Sequence, residues 1–261
     1  MSASENAVAL QRLDELARVL RVECPWDREQ DERSIVPHTL EEAYELADAA
    51  RSGDDAKLTD ELGDVLFQVH FLSLLMEERG AGSMAEVAEH CRQKLVRRHP
   101  HVFGEVEVAD SSEVTVNWDR IKETEPGREA GIFGEVPENL PGTLYARKVQ
   151  RRAASSGFDH GTAQDALEAL KGEVEELQEA LASGDVLRID AELGDVLFAA
   201  VNVGRKAKVD PELALRSTAN RFRSRVDLAS DLAAADGQAW KDLDPDSRIA
   251  FYVRAKQQQN N

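Results

Sequence analysis

The sequence predicts an all-α protein made of two tandem repeats of about four helices each, and three observations carry that prediction. The string ELGDVLF stands at residues 61–67 and again, letter for letter, at 192–198. In a chain of 261 residues, such an identity marks a duplicated supersecondary unit. Aromatic residues make up only 5% of the chain while Ala, Leu and Glu abound, which favours helices over strands. No stretch alternates apolar and polar residues over a strand's length; HVFGEVEVAD (101–110) has room for a short strand or an extended loop and nothing more.

The elements follow in order. A helix over about 7–22 leads into CPWDREQ. TLEEAYELADAA (39–50) is helical, because Leu40, Ala43, Tyr44 and Ala47 recur at i, i+3, i+4 and i+7. ELGDVLFQVHFLSLLMEE (61–78) repeats that spacing with Leu62, Val65, Leu66 and Val69, and VAEHCRQKLVRRHP (87–100) closes the first copy. The second copy reads TLYARKVQRRAASSGFD (143–159), EVEELQEALAS (173–183), ELGDVLFAAVNVGRK (192–206) and ALRSTANRFRSRV (214–226). ARSGDDAK and LASGDVLR are matched loops with Gly at each helix stop. TEPGREAGIFGEVPENLPG (124–142), with three prolines and four glycines, is not regular structure. The expected organisation is a first repeat at 1–124, a linker at 125–141 and a second repeat at 142–261, the last ending in a tail helix and a polar end. In register, Asp27 pairs with Asp159 at a separation of 132, Glu42 with Glu176 at 134, Glu61 with Glu192 at 131 and Lys94 with Arg221 at 127, the drifts falling in connections.

The formal net charge is −18, which argues against a nucleic-acid backbone as partner. A small anionic substrate stays open if metal ions bridge it to the acids. Cys24 and Cys91 lack CxxC spacing and read as free thiols. The N-terminal stretch has no secretory character, and the longest apolar run, VLFQVHFLSLLM (65–76), is too short for a bilayer. A cytoplasmic protein with no membrane partner is the expectation.

The acids inside the apolar runs carry the chemistry. Glu42 and Glu45 lie three apart, as do Glu61 and Asp64, so each pair shares a helix face. A helical hairpin between them lays the two helices antiparallel and lets four carboxylates converge. The second helix is apolar nearly all round, so Glu61 and Asp64 are expected to be half-buried. Carboxylates so placed repel one another unless a divalent cation neutralises them, and an oxygen-only ligand set suits Mg²⁺ or Mn²⁺. A solvated acidic face is the alternative for any single pair; the doubling of the pattern favours metal. A ferritin-like di-iron site needs Glu-x-x-His, and none of the six histidines has an acid three residues before it. Lys57 and Arg188 each precede a Glu by four, and Lys94 and Arg98 match Arg221 and Arg225; these are candidate phosphate ligands, with simple ion pairs as the alternative. Trp118 and Tyr252 are candidates for stacking on a base or for core packing, whereas Trp26 and Phe158 are expected in the core and His99 and His101 in a turn. No phosphate-binding glycine loop, GxSxG or HExxH is present, and no Ser or Cys has an evident base partner.

CPWDREQ, TLEEAYEL, ELGDVLFQV and KLVRRHPHVF, followed by GFD, EVEELQEA and ELGDVLFA, resemble the MazG family of nucleoside triphosphate pyrophosphohydrolases over nearly the whole chain. The resemblance implies an all-α fold of two repeats, a homodimer, Mg²⁺ dependence and the reaction NTP + H₂O → NMP + PPi with broad base tolerance. It implies metal ligation by Glu42, Glu45, Glu61 and Asp64 in the first repeat and by Glu176, Glu179, Glu192 and Asp195 in the second. Glu41 and Glu175 would orient the attacking water, and Arg188, Arg221 and Arg225 would touch the triphosphate. The sequence departs from the family where Gly172 stands in place of a Lys, with Lys171 beside it, and where Tyr252 replaces the usual stacking Trp. The first repeat keeps all its acids together with Lys57, Lys94, Arg98 and Trp118, so a competent first site is expected, with two sites an open alternative. Narrower pyrophosphatases, of the dCTP, dUTP or phosphoribosyl-ATP type, and a non-catalytic nucleotide-binding regulator are the other readings.

Overall fold

Both repeats are organised by the same turn. In the first, α3 (Glu32–Ser52) ends at Gly53 with φ +71°, and Asp54 caps α4 (Asp55–Glu78) by accepting from the amides of Ala56 and Lys57. In the second, the helix Ala163–Ser183 ends at Gly184, also with φ +71°, and Asp185 caps Val186–Lys206 through the amides of Leu187 and Arg188. A left-handed residue at the helix stop is why glycine stands there. Ser52 and Ser183 complete the turns, each donating to the carbonyl of a buried alanine, Ala49 or Ala180.

The computed structural model describes residues 3–110, 113–114, 117–118, 120–121, 131–134, 136–137 and 139–259. No strand occurs among them; HVFGEVEVAD carries the end of one short helical turn and then irregular chain. The chain divides into two units, Met1–Glu125 and Pro126–Asn261. Residues 125–130, 135 and 138 of the expected linker lie outside the described residues.

In the first unit, α1 (Ala3–Glu23) and the short α2 (Pro25–Glu29) precede the α3–α4 hairpin, and α5 (Met84–Arg98) and α6 (Pro100–Phe103) follow it. Helix α3 begins seven residues before the expected Thr39, because Asp31 and Ser34 form a reciprocal capping box, and it continues through Pro37. Helix α4 packs on both α3 and α1. Ile35, Phe71 and Leu75 form the core, with Phe67 and Leu72 against them. Arg18 and Arg21 of α1 clamp the end of α4 through Glu77 and Glu78 at 2.6 and 2.8 Å. The burial of α4 is concentrated in its C-terminal half, from Gln68 to Leu75. Its N-terminal half is less covered than an all-round apolar helix leads one to expect, with Leu62 51% exposed. The acids Glu61 and Asp64 stand in that open half.

In the second unit, α7 (Gly142–Ser155) packs on α9 (Val186–Lys206) and α10 (Pro211–Ala235), while α8 (Ala163–Ser183) pairs with α9. Arg147 and Thr143 hold Asp210 and Glu212 at the start of α10. After a 3-10 turn at Trp240–Asp242, α11 (Pro245–Gln259) packs Phe251 and Ala255 on Ala229 and Ala233 of α10. An apolar recess of about 710 Å³ lies between α7, α9 and α10, lined in part by Leu197, Phe198 and Leu215. No helix among the described residues is long and apolar enough to cross a membrane.

Candidate active site

The two hairpins each bring three carboxylates together. In the first unit, oxygens of Glu42 and Glu45 from α3 and of Glu61 from α4 all lie within 4.8 Å of one another. In the second, the group is Glu173 and Glu176 from α8 with Glu192 from α9, to the same tolerance. Three like charges this close disfavour ionisation. Partial burial, then the charges of Asp64, Glu45, Glu61 and Glu41, push the Glu42 carboxyl above its ordinary value. Glu61 is pushed up by desolvation and by Glu45, Asp64 and Asp60, against an opposing pull from Lys57. In the second unit, desolvation followed by Asp195, Glu176 and Glu192 raises Glu173. Oxygen-only groups that strain against their own charge fit a hard divalent cation.

The second group differs from the sequence expectation. Glu42 is matched by Glu173, not Glu176, so the separation is 131 from the acids of α3 through the turn to Glu61 and Glu192. Buried core positions keep the same register: Ile35 with Ala166 and Ala49 with Ala180. The signal was present in the sequence, because the S-G-D of the turn repeats at 52–54 and 183–185, also 131 apart. Glu179 falls outside the group, 72% exposed, with Arg188 at 3.2 Å. Glu175 is exposed on α8. In this register Gly172 occupies the position of Glu41. Glu41 itself is exposed, with its Oε2 3.3 Å from His38 Nδ1.

The cations divide. Arg188 adjoins the second group, with its Nε 3.7 Å from Glu192. Lys57 acts on Glu61 through charge. Asp64 and Asp195 border their groups and are exposed. The remaining candidates have other neighbours. Lys94 lines a recess of about 540 Å³ with Met76, His90 and Cys91, and Arg98 ends α5. Lys171 pairs with Glu168 at 2.9 Å on the surface. Arg221 donates to Thr218 and Arg225 to Gln259 on α11. Trp118 meets the ring of His99 edge to face at 4.7 Å, and His99 joins α5 to α6 as expected of a turn residue. Tyr252 packs on Phe222 at 5.6 Å beside the α10–α11 cluster. Trp26 and Phe158 are not core residues: they are 51% and 83% exposed.

Two all-α repeats, each converging carboxylates from the facing helices of a hairpin, define a class of duplicated helical proteins with oxygen-only sites. Comparison with known proteins names the family. The MazG nucleotide pyrophosphohydrolase domain matches at residues 30–103 and again at 161–226, so each match contains one acid group. A nucleoside triphosphate pyrophosphohydrolase of Escherichia coli K12 is 35% identical over 240 residues, covering 90% of this chain and 91% of that protein. The nucleoside triphosphate pyrophosphohydrolase/pyrophosphatase MazG of Thermotoga maritima is 36% identical over 235 residues, 89% of each chain. The nucleoside triphosphate pyrophosphohydrolase of Mycobacterium tuberculosis is 33% identical over 141 residues, 53% of this chain and 43% of that one. The chain belongs to the MazG nucleotide pyrophosphohydrolase family.

Proposed function

We propose that this protein is a Mg²⁺-dependent pyrophosphohydrolase that converts nucleoside triphosphates of varied base to the monophosphate and pyrophosphate. The observation that carries the reading is the convergence of Glu42, Glu45 and Glu61 within 4.8 Å on facing helices, duplicated in Glu173, Glu176 and Glu192. Glu42, Glu45 and Glu61 would hold the cation, with Asp64 beside them. When bound there, Mg²⁺ or Mn²⁺ supplies charge neutralisation for the triphosphate and a lowered pKa for water. Glu41 orients the attacking water toward the α-phosphorus; the α–β anhydride bond breaks and pyrophosphate leaves. Lys57 faces the developing charge on the leaving group. No covalent nucleophile is required.

Hydrolysis is assigned to the first repeat. Glu41 stands next to its acid group, whereas Gly172 takes that position in the second. The test is pyrophosphate release across a panel of nucleoside triphosphates. Chelation is expected to abolish release from every substrate, and Mg²⁺ or Mn²⁺ to restore it. Release that survives exhaustive chelation sinks the reading.

A homodimer accompanies this function. Leu193, Leu197 and Phe198 form an apolar row on α9 that is 46%, 59% and 44% exposed in the single chain, and a second copy is the partner proposed to cover it. Light scattering is expected to give twice 28.9 kDa for the native protein. Leu197→Glu should return the value to that of one chain. A monomeric native protein would refute the assembly.

A further inference from the structure

We infer that Trp26 is the stacking surface for the nucleotide base at the first repeat's site, supported from behind by His38. The inference rests on the reading of that site as one that binds nucleoside triphosphates. An exposed ring stands on a hydrogen-bonded turn of backbone. The Trp26 side chain is 51% exposed, yet the backbone beneath it is clamped. Asp27 is 6% exposed, Gln30 Nε2 donates to the Trp26 carbonyl at 2.8 Å, and Arg21 donates to the carbonyls of Asp27 and Gln30. A rigid amphipathic ring presented in this way loses little freedom when it meets a ligand.

The position of the ring decides what that ligand is. Trp26 meets His38 edge to face, with centroids 5.7 Å apart. His38 Nδ1 lies 3.3 Å from Glu41 Oε2. From His38 to Glu42 is a little over one helical turn, about 6 Å along the axis of α3. Trp26, His38, Glu41 and the acid group therefore follow one another along one side of the hairpin, aromatic at one end and anionic at the other. A nucleoside triphosphate has the complementary order: a flat base, a sugar, then an anionic chain that approaches carboxylates through a divalent cation. Every base offers a π-face, so a stacking ring accepts bases of different identity.

The second repeat lacks the connection. Phe158, ahead of Asp159 as Trp26 is ahead of Asp27, is 83% exposed, but Ala169 and Gly172 occupy the His38 and Glu41 positions. The other aromatic candidates meet other rings, Trp118 that of His99 and Tyr252 that of Phe222.

The test uses the full chain with Mg²⁺, calorimetric binding of α,β-methylene ATP, and inorganic tripolyphosphate as the probe without a base. Trp26→Ala is expected to weaken the analogue on the order of tenfold and to leave tripolyphosphate unchanged. Trp26→Phe, which keeps a ring, should retain most of the affinity. An unchanged analogue affinity in Trp26→Ala overturns the inference, as does an equal loss for both probes. So does a change in molar mass by light scattering, which would make Trp26 a subunit contact. A native protein that binds tripolyphosphate with Mg²⁺ upholds the site whatever Trp26 does; one that binds neither probe overturns both readings.

Discussion

Glu61→Gln and Glu42→Gln are each expected to lower pyrophosphate release by more than about 100-fold while raising the thermal stability of the metal-free protein. The opposite signs have one cause. Three carboxylate oxygens within 4.8 Å are a poor arrangement for the empty protein and a good one for a divalent cation. Replacing one acid by an isosteric amide removes repulsion, and it removes a ligand whose loss costs several kcal/mol of charge stabilisation in the transition state. The stability change also has a definite pH dependence. A carboxyl whose folded-state value lies above its unfolded value binds its proton more tightly when folded, so its stabilising contribution is full below the unfolded value and is lost as pH rises through the folded one. Glu42 and Glu61 are both raised above the ordinary glutamate value of 4.5. The difference in melting temperature between Glu42→Gln and the native protein, both metal-free, is therefore expected to be small at about pH 4 and to grow toward neutrality. Added Mg²⁺ should reverse its sign. Calorimetry with and without chelator measures this directly; a variant that melts below the native protein at neutral pH without metal would show that repulsion is not what the cation relieves.

The second large effect concerns the second repeat. Glu173→Gln is expected to eliminate its metal binding, seen as the loss of Mn²⁺ sites in a spin-resonance titration, whereas Glu179→Gln should leave the number of sites unchanged. Glu173 contributes an oxygen to the group with Glu176 and Glu192, while Glu179 lies outside it beside Arg188. Removing Glu179 frees Arg188 to engage Glu192 more fully, so a modest weakening of the site is expected there, not its loss. If Glu179→Gln abolishes the site and Glu173→Gln spares it, the register inferred from the turn is incorrect. In either variant the first repeat should keep hydrolysing substrate at close to the native rate.

Much of this was legible in the amino-acid string. The helices announce themselves through periodic Leu, Val and Ala and through Gly in the matched turns; the capping by Asp54, Ser83, Thr162 and Asp185 came with the structure. The start of α3 was less visible: the apolar spacing picks the helix up at Thr39, whereas the capping box of Asp31 and Ser34 starts it at Glu32. Trp26 was expected in the core. In the fold it is the neighbouring Asp27 that goes inside, and the ring is left at the surface.

The sequence by itself determined that the chain is helical and duplicated, and that each copy carries paired acids at helical spacing across an S-G-D turn. Those are properties of local dihedral preference and of periodicity, which a linear string records. It did not determine which acids meet. Along Glu173–Glu179, two pairs three residues apart, 173 with 176 and 176 with 179, offer nearly the same helix face, for a shift of three residues turns a helix by only about 60° from its starting orientation. The choice is made by the burial of Ala166 and Ala180 and by the left-handed turn at Gly184, which together set how far α8 is rotated about its axis. Close packing admits one such rotation, and with it one set of carboxylates.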